Sequence, residues 1–153
     1  MCMSLSTRKT IVLLGLLCAC ALTSVPALAQ DYLDHYEQGE FALRVQKWDR
    51  AIEFFTKALA DNPKFFAAYH NRAVAYSKKG EYDKSVGDLK KAILLNPDYP
   101  DAYGLLGLVY EIKMDYAAAS SAYREALARE KRPAMKKVIE KYIQDLEPKL
   151  KKK

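Results

Sequence analysis

The chain is poor in the side chains on which most catalysis and metal binding depend. Only three of its 153 residues are cysteines, and all three, Cys2, Cys18 and Cys20, lie in the first twenty positions. A chain beginning at Gln30 would carry none, so neither a thiol nucleophile nor a disulfide is expected there, and the fold must rest on apolar packing. There are two histidines, His35 and His70. Neither belongs to an H-x-x-H or H-E-x-x-H pattern or to a Cys/His cluster, which excludes the usual zinc arrangements. No G-x-x-x-x-G-K-[ST] or G-x-G-x-x-G loop is present to cradle a phosphate. Ser120 and Ser121 have no base nearby in the sequence. Asp98 and Asp101 of "DYPDAYGLLG" stand where carboxylates favour the start of a helix. No enzyme, metal or cofactor is expected.

The apolar run "IVLLGLLCACAL", from Ile11 to Leu22, has twelve residues. That is short of the ~20 needed to span a bilayer. Arg8 and Lys9 precede it, and Ala27-Leu28-Ala29 follows as a small-x-small site. This is the layout of a secretory signal peptide over residues 1–29, with cleavage after Ala29 and export to the periplasm or the exterior; the style of the signal points to a bacterium. A retained signal-anchor is the bland alternative. Leu17-Cys18-Ala19-Cys20 also offers a lipoprotein processing site, which would make the chain an envelope assembly factor anchored through Cys20. Cys18 is atypical there, and no flexible polar tether follows.

The net charge of +6 is unevenly placed. From Lys131 to Lys153 there are 9 basic and 3 acidic residues, whereas Gln30 to Glu130 carries 14 basic and 16 acidic ones. The body is therefore slightly acidic, and a uniformly basic nucleic-acid surface is not indicated.

What the chain has in abundance is repetition. "KWDRAIEFFTKALADNP", Lys47 to Pro63, returns 34 residues later as "EYDKSVGDLKKAILLNP", Glu81 to Pro97. Aligned on Pro63 and Pro97, the units are 32–65, 66–99 and 100–133, without insertion. Small residues recur at Gly39, Ala73 and Gly107, at Ala51, Ser85 and Ala119, and at Ala58, Ala92 and Ala126. Aromatics recur at Trp48, Tyr82 and Tyr116, and large residues at Phe55, Leu89 and Tyr123. Small residues let two helices approach, and large ones fill the space beside them. Ile52, Phe55 and Leu59 follow a helical period. Gly80 marks a helix end and a turn, and Pro63 and Pro97 stop the second helix of their units. Each unit then reads as helix, tight turn, helix, with helices near 32–45, 48–61, 66–79, 82–95, 100–113 and 116–129.

Fixed small, aromatic and proline positions in a 34-residue helix-turn-helix unit resemble the tetratricopeptide repeat, whose pattern is W-x2-L-G-x2-Y, A-x3-F and P. "YHNRAVAYSKKGEYDKSVGDLKKAILLNP" fits it well. "YGLLGLVYEIKMDYAAASSAYREAL" fits with Lys131 in place of the proline. The first unit is weakest at its start, where His35 replaces the aromatic and Gln38 the leucine. The resemblance covers residues 32–132 and implies an all-α solenoid. After it, Met135, Val138, Ile139, Tyr142, Ile143 and Leu146 form one apolar stripe of an amphipathic helix over 133–147, which suits a cap on the uncovered side of the last pair. The repeat domain is expected over 32–147 and a basic tail over 148–153.

Such a stack forms a concave surface lined by the first helix of each pair, and the resemblance implies protein–protein binding there. The family's groove positions fall on Leu33, Tyr36, Glu40, Leu43 and Arg44 in the first unit. In the second they are Ala67, His70, Val74, Ser77 and Lys78, and in the third Asp101, Gly104, Leu108, Glu111 and Ile112. This groove is mixed, with apolar patches and charges of both signs, and suits an amphipathic segment of a partner. Gly104 is read either as a place where a ligand backbone approaches closely or as relief of crowding against the second unit. Chaperone-tail binders of the family clamp a C-terminal carboxylate with lysine, arginine and asparagine. The matching positions here are Tyr36, Glu40, Asn71, Asp101 and Leu105, of which only Asn71 agrees, so that use is not expected. Two further expectations are self-association through the first and last helices, and contact of the four-lysine tail "EPKLKKK" with an anionic surface.

Overall fold

A computed structural model describes residues 27–151, which form seven helices and no strand. They are α1 (Ala27–Arg44), α2 (Trp48–Asp61), α3 (Phe66–Lys78), α4 (Tyr82–Leu95), α5 (Pro100–Ile112), α6 (Tyr116–Arg129) and α7 (Pro133–Leu150). Within pairs α1 packs on α2, α3 on α4 and α5 on α6. Pairs stack through α2–α3, α4–α5 and α6–α7, while α1, α3 and α5 touch along one side. The expected signal segment before Ala27, with its cysteines and the Cys20 lipidation site, lies outside the described residues.

The internal helix bounds lie within a residue of the periodic pattern, and the ends differ for local reasons. α1 starts at Ala27 rather than Tyr32, since Ala27 to Asp31 contains no helix breaker. α7 runs through Pro148 to Leu150 instead of ending at 147. Pro148 gives up its own N–H bond and crowds the Gln144 carbonyl, but it does so in the last turn, and Lys151 N–H still reaches the Glu147 carbonyl at 3.3 Å. Residues 148–150 therefore belong to the cap and not to a separate tail.

Each turn inside a pair places its equivalent residue in the left-handed region: Gln46 (φ 57°), Gly80 (φ 80°) and Met114 (φ 60°). Only the middle pair uses glycine there; a side chain in that conformation costs about 1–2 kcal/mol. The recurring small positions are all buried, and Phe55, Leu89 and Tyr123 are each at most 1% exposed. Each such burial is worth about 1.5–3 kcal/mol. The two glycines at the first small position are matched to rings. A Cβ on Gly39 would lie 2.5 Å from the Phe55 ring, and one on Gly107 would lie 2.6 Å from the Tyr123 ring. The middle pair has Leu89 in place of a ring and accommodates Ala73.

Polar ties hold neighbouring elements in register. Lys79 pairs with Asp49 and Lys113 with Asp83, the same link between successive pairs made twice, 30 residues apart in sequence. Arg72 donates to both carboxylate oxygens of Asp88, at 2.7 and 2.8 Å, with both side chains largely buried. At the cap junction, Glu130 takes the place held by Asn62 and Asn96 in the earlier units. Its Oε1 accepts from the backbone N–H of Lys131 and Arg132 at 2.8 and 2.9 Å. Lys131 can donate this bond where a proline could not, which accounts for the missing proline of the third unit.

Candidate functional site

The inner side of the stack divides into a polar middle and an apolar end. In the middle, Tyr36 of α1 packs against Phe65 with ring centroids 4.7 Å apart, and its hydroxyl accepts a hydrogen bond from Asn71 Nδ2 at 2.9 Å. The same amide reaches Glu40 Oε1 at 3.4 Å. Burial, with Glu40 beside it, pushes the Tyr36 phenol well above its ordinary pKa. His70 of α3 stands edge-on to Tyr99, centroids 5.1 Å apart, and its Nδ1 lies 3.1 Å from Asn71 Oδ1. Burial holds the imidazole toward its neutral form. These six side chains lock α1, α3 and the start of α5 into one wall.

The other expected groove residues stand in different surroundings, and Arg44 lines the hollow at the α1 end of the stack. Leu33 is 43% exposed, Leu43 packs on the first core cluster, and Arg44 stands 6.0 Å over the Phe41 ring. Ala67, Val74 and Ser77 are half-buried, and Lys78 is exposed at the end of α3. Asp101 accepts from Arg132 Nη2 at 2.8 Å, and Glu111 accepts from Lys149 Nζ at 2.7 Å. Both carboxylates are thereby matched by cations of the cap junction and of α7. Leu108 and Ile112 remain 43% and 44% exposed.

Gly104 corrects an expectation. Nothing lies within 4 Å of a Cβ built on it, so it relieves no crowding against the second unit. It floors a hollow of about 180 Å³ between α5 and α7, with Leu108, Tyr123, Met135, Val138 and Tyr142 on the walls. An apolar cavity of about 150 Å³ takes a benzene ring, so this one has room for a single apolar side chain of similar size.

The α7 wall was missed because the whole apolar stripe was assigned to covering the last pair. Ile139 and Leu146 do cover it, at 6% and 0% exposure. Met135, Val138 and Tyr142 are 38–44% exposed and face the hollow. The signal was available: they stand 34 residues after Asp101, Gly104 and Leu108, so α7 continues the groove register for a fourth step. Tyr142 is held by stacking on Tyr123, centroids 5.4 Å apart.

Among the described residues no three His, Cys, Asp or Glu side chains converge as a metal site, and no helix is long and apolar enough to cross a membrane. Sequence models of the repeat match residues 54–86 and 100–132, described as Tetratricopeptide repeat, and 75–112, described as TPR repeat. The heat-shock protein cognate co-chaperone sgt12 of Aspergillus fumigatus is 32% identical over 61% of this chain and 27% of its own length. Across the first curated relatives the chain spans 4–27% of their length. The Arabidopsis OM64 TPR domain superposes with TM-score 0.72 at 27% identity, over 77% of this chain and 98% of that one. The second TPR of Spaghetti (RPAP3), solved with the HSP90 peptide SRMEEVD, does so with TM-score 0.64 at 26% identity, over 67% and 89%.

Proposed function

The chain belongs to the tetratricopeptide repeat family, and we propose that it acts as a non-catalytic adaptor, holding a segment of another protein against its concave face. The observation that carries this reading is the hollow between α5 and α7, where Leu108, Val138 and Tyr142 stay exposed although Leu106, Val109, Ile139 and Leu146 of the same two helices are buried. An amphipathic segment would seat one apolar side chain there and run its polar side along Glu40, His70 and Asn71.

The Spaghetti domain is solved with a peptide ending in a carboxylate. In this chain the corresponding wall carries Glu40, Arg132 is already taken up by Asp101 and Glu130, and the Asn71 amide is already engaged by Tyr36 and Glu40. The ligand we propose is therefore an internal apolar anchor and not a charged C-terminus. The setting we propose is an envelope or secreted assembly, reached through the N-terminal signal layout with cleavage after Ala29 or lipidation at Cys20. Of the lysines that could instead contact an anionic surface, Lys149 is engaged by Glu111.

The test is site-specific crosslinking in the cells that make the protein. A photoreactive residue at Leu108 or Val138 should trap one partner that the exposed convex position Lys90 does not. Val138→Glu should weaken binding of that partner about tenfold or more, with helix content unchanged. Trapping at Lys90 in preference to Val138, or full affinity in Val138→Glu, overturns the reading.

A further inference from the structure

The other uncovered face lies at the opposite end of the stack. Phe41 and Val45 of α1 are 59% and 42% exposed. With Phe54 of α2 they line a surface hollow of about 510 Å³, edged by Asp34 and Glu37 on one side and by Arg44, Lys47 and Arg50 on the other. One period along the chain, Ala75 and Val109 occupy the position of Phe41 and are 0% exposed, because α2 and α4 of the preceding pairs lie on them. No described helix covers α1 in the same way. A simple end-cap would be polar here; this face has an aromatic centre instead.

The order of charges along α1 says what fits it. Asp34 and Glu37 precede Phe41, Arg44 follows it at the end of α1, and Lys47 follows in the turn beyond, on the same hollow. Glu37 with Arg44, and Asp34 with Lys47, are each symmetric about a point beside Phe41. Among the described residues, none of these four takes part in an ion pair. A second α1 laid antiparallel across a two-fold axis would thus set the two Phe41 rings together, with an acidic end against a basic end on both sides. This is the self-complementary pattern that an isologous contact needs. The first thirty residues contain no acidic side chain and could not match the basic end. The outward side of α7, with Lys136, Lys137, Glu140 and Lys141, has no apolar centre to match Phe41. The geometry points to a two-fold homodimer of this chain through the face of α1 centred on Phe41. It neither uses the α5–α7 hollow nor requires that hollow to be filled.

The mass of the full chain in solution, followed over a wide concentration range by sedimentation or light scattering, tests it. The expected result is a dimer that Phe41→Asp weakens about thirtyfold or more. Glu37→Arg should weaken it too, and Glu37→Arg with Arg44→Glu should restore it, since the swapped pair again opposes unlike charges. Circular dichroism melting of each variant checks that the helices persist, as expected for substitutions at exposed positions. A single-chain mass at every concentration, a dimer indifferent to Phe41→Asp, or failure of the double swap overturns the proposal. So does growth beyond two copies, which signifies head-to-tail stacking, or a monomer that Phe41→Asp destabilises, which signifies that another part of the same chain covers the face.

Discussion

At the scale of single residues, the three pairs record the same packing problem solved in two ways. A buried ring at Phe55 or Tyr123 demands glycine opposite, whereas Leu89 tolerates Ala73. Gly107→Ala should therefore destabilise the fold by about 1–3 kcal/mol through overpacking, because the added Cβ would lie 2.6 Å from the Tyr123 ring and could be accommodated only by shifting that ring off Tyr142. Adding Tyr123→Leu, which rebuilds the middle pair's combination, should recover part of that loss. Gly104→Ala, only three residues earlier but with open space around it, should stabilise by about 1 kcal/mol from helix propensity alone. Urea unfolding of the variants measures all of these, and equal effects at 104 and 107 would contradict the packing account. The small residue at each of these positions was legible in the sequence. The coupling was not, since a pattern that classes residues as small or large does not reveal which ring meets which glycine.

At the scale of elements, the cap and its junction act together. Glu130 is 4% exposed yet carries a carboxylate held down to about 2 from its usual value near 4.5. The Arg132 side chain is the largest cause, followed by the backbone N–H of Arg132. A carboxylate depressed in the folded state contributes fully above its unfolded pKa and loses that contribution as pH falls toward the folded value. The Glu130→Gln variant should thus be less stable than the parent at neutral pH, and the gap should close between about pH 4.5 and 2. A gap constant across that window in thermal melts would show that the carboxylate does not hold the junction. Most helix limits were readable because glycine, proline and the 34-residue register bracket them. The two functions of α7 were not, because an amphipathic stripe shows that a helix has an apolar side without showing how wide a wedge of it the neighbour covers. Links such as Arg72–Asp88 and Asp49–Lys79 were equally hidden, since they join residues 16 and 30 apart that only the packing within a pair and the stacking of successive pairs bring together.

At the scale of the whole molecule, each pair is kept dry by its neighbours, and the last one by α7. Removing residues 133–153 withdraws Ile139 and Leu146 from the core and uncovers Tyr123. The loss should be about 3–6 kcal/mol from those two side chains alone, seen as a lower urea midpoint. An unchanged midpoint would mean that the repeats are complete without their cap. Because the helix that seals this end also forms a wall of the hollow, whatever lodges there acts as a clasp. Vacant copies would fray first at the C-terminal edge, and proteases would sample them in proportion to their vacancy. Turnover of the protein would then be tied to whether it is employed.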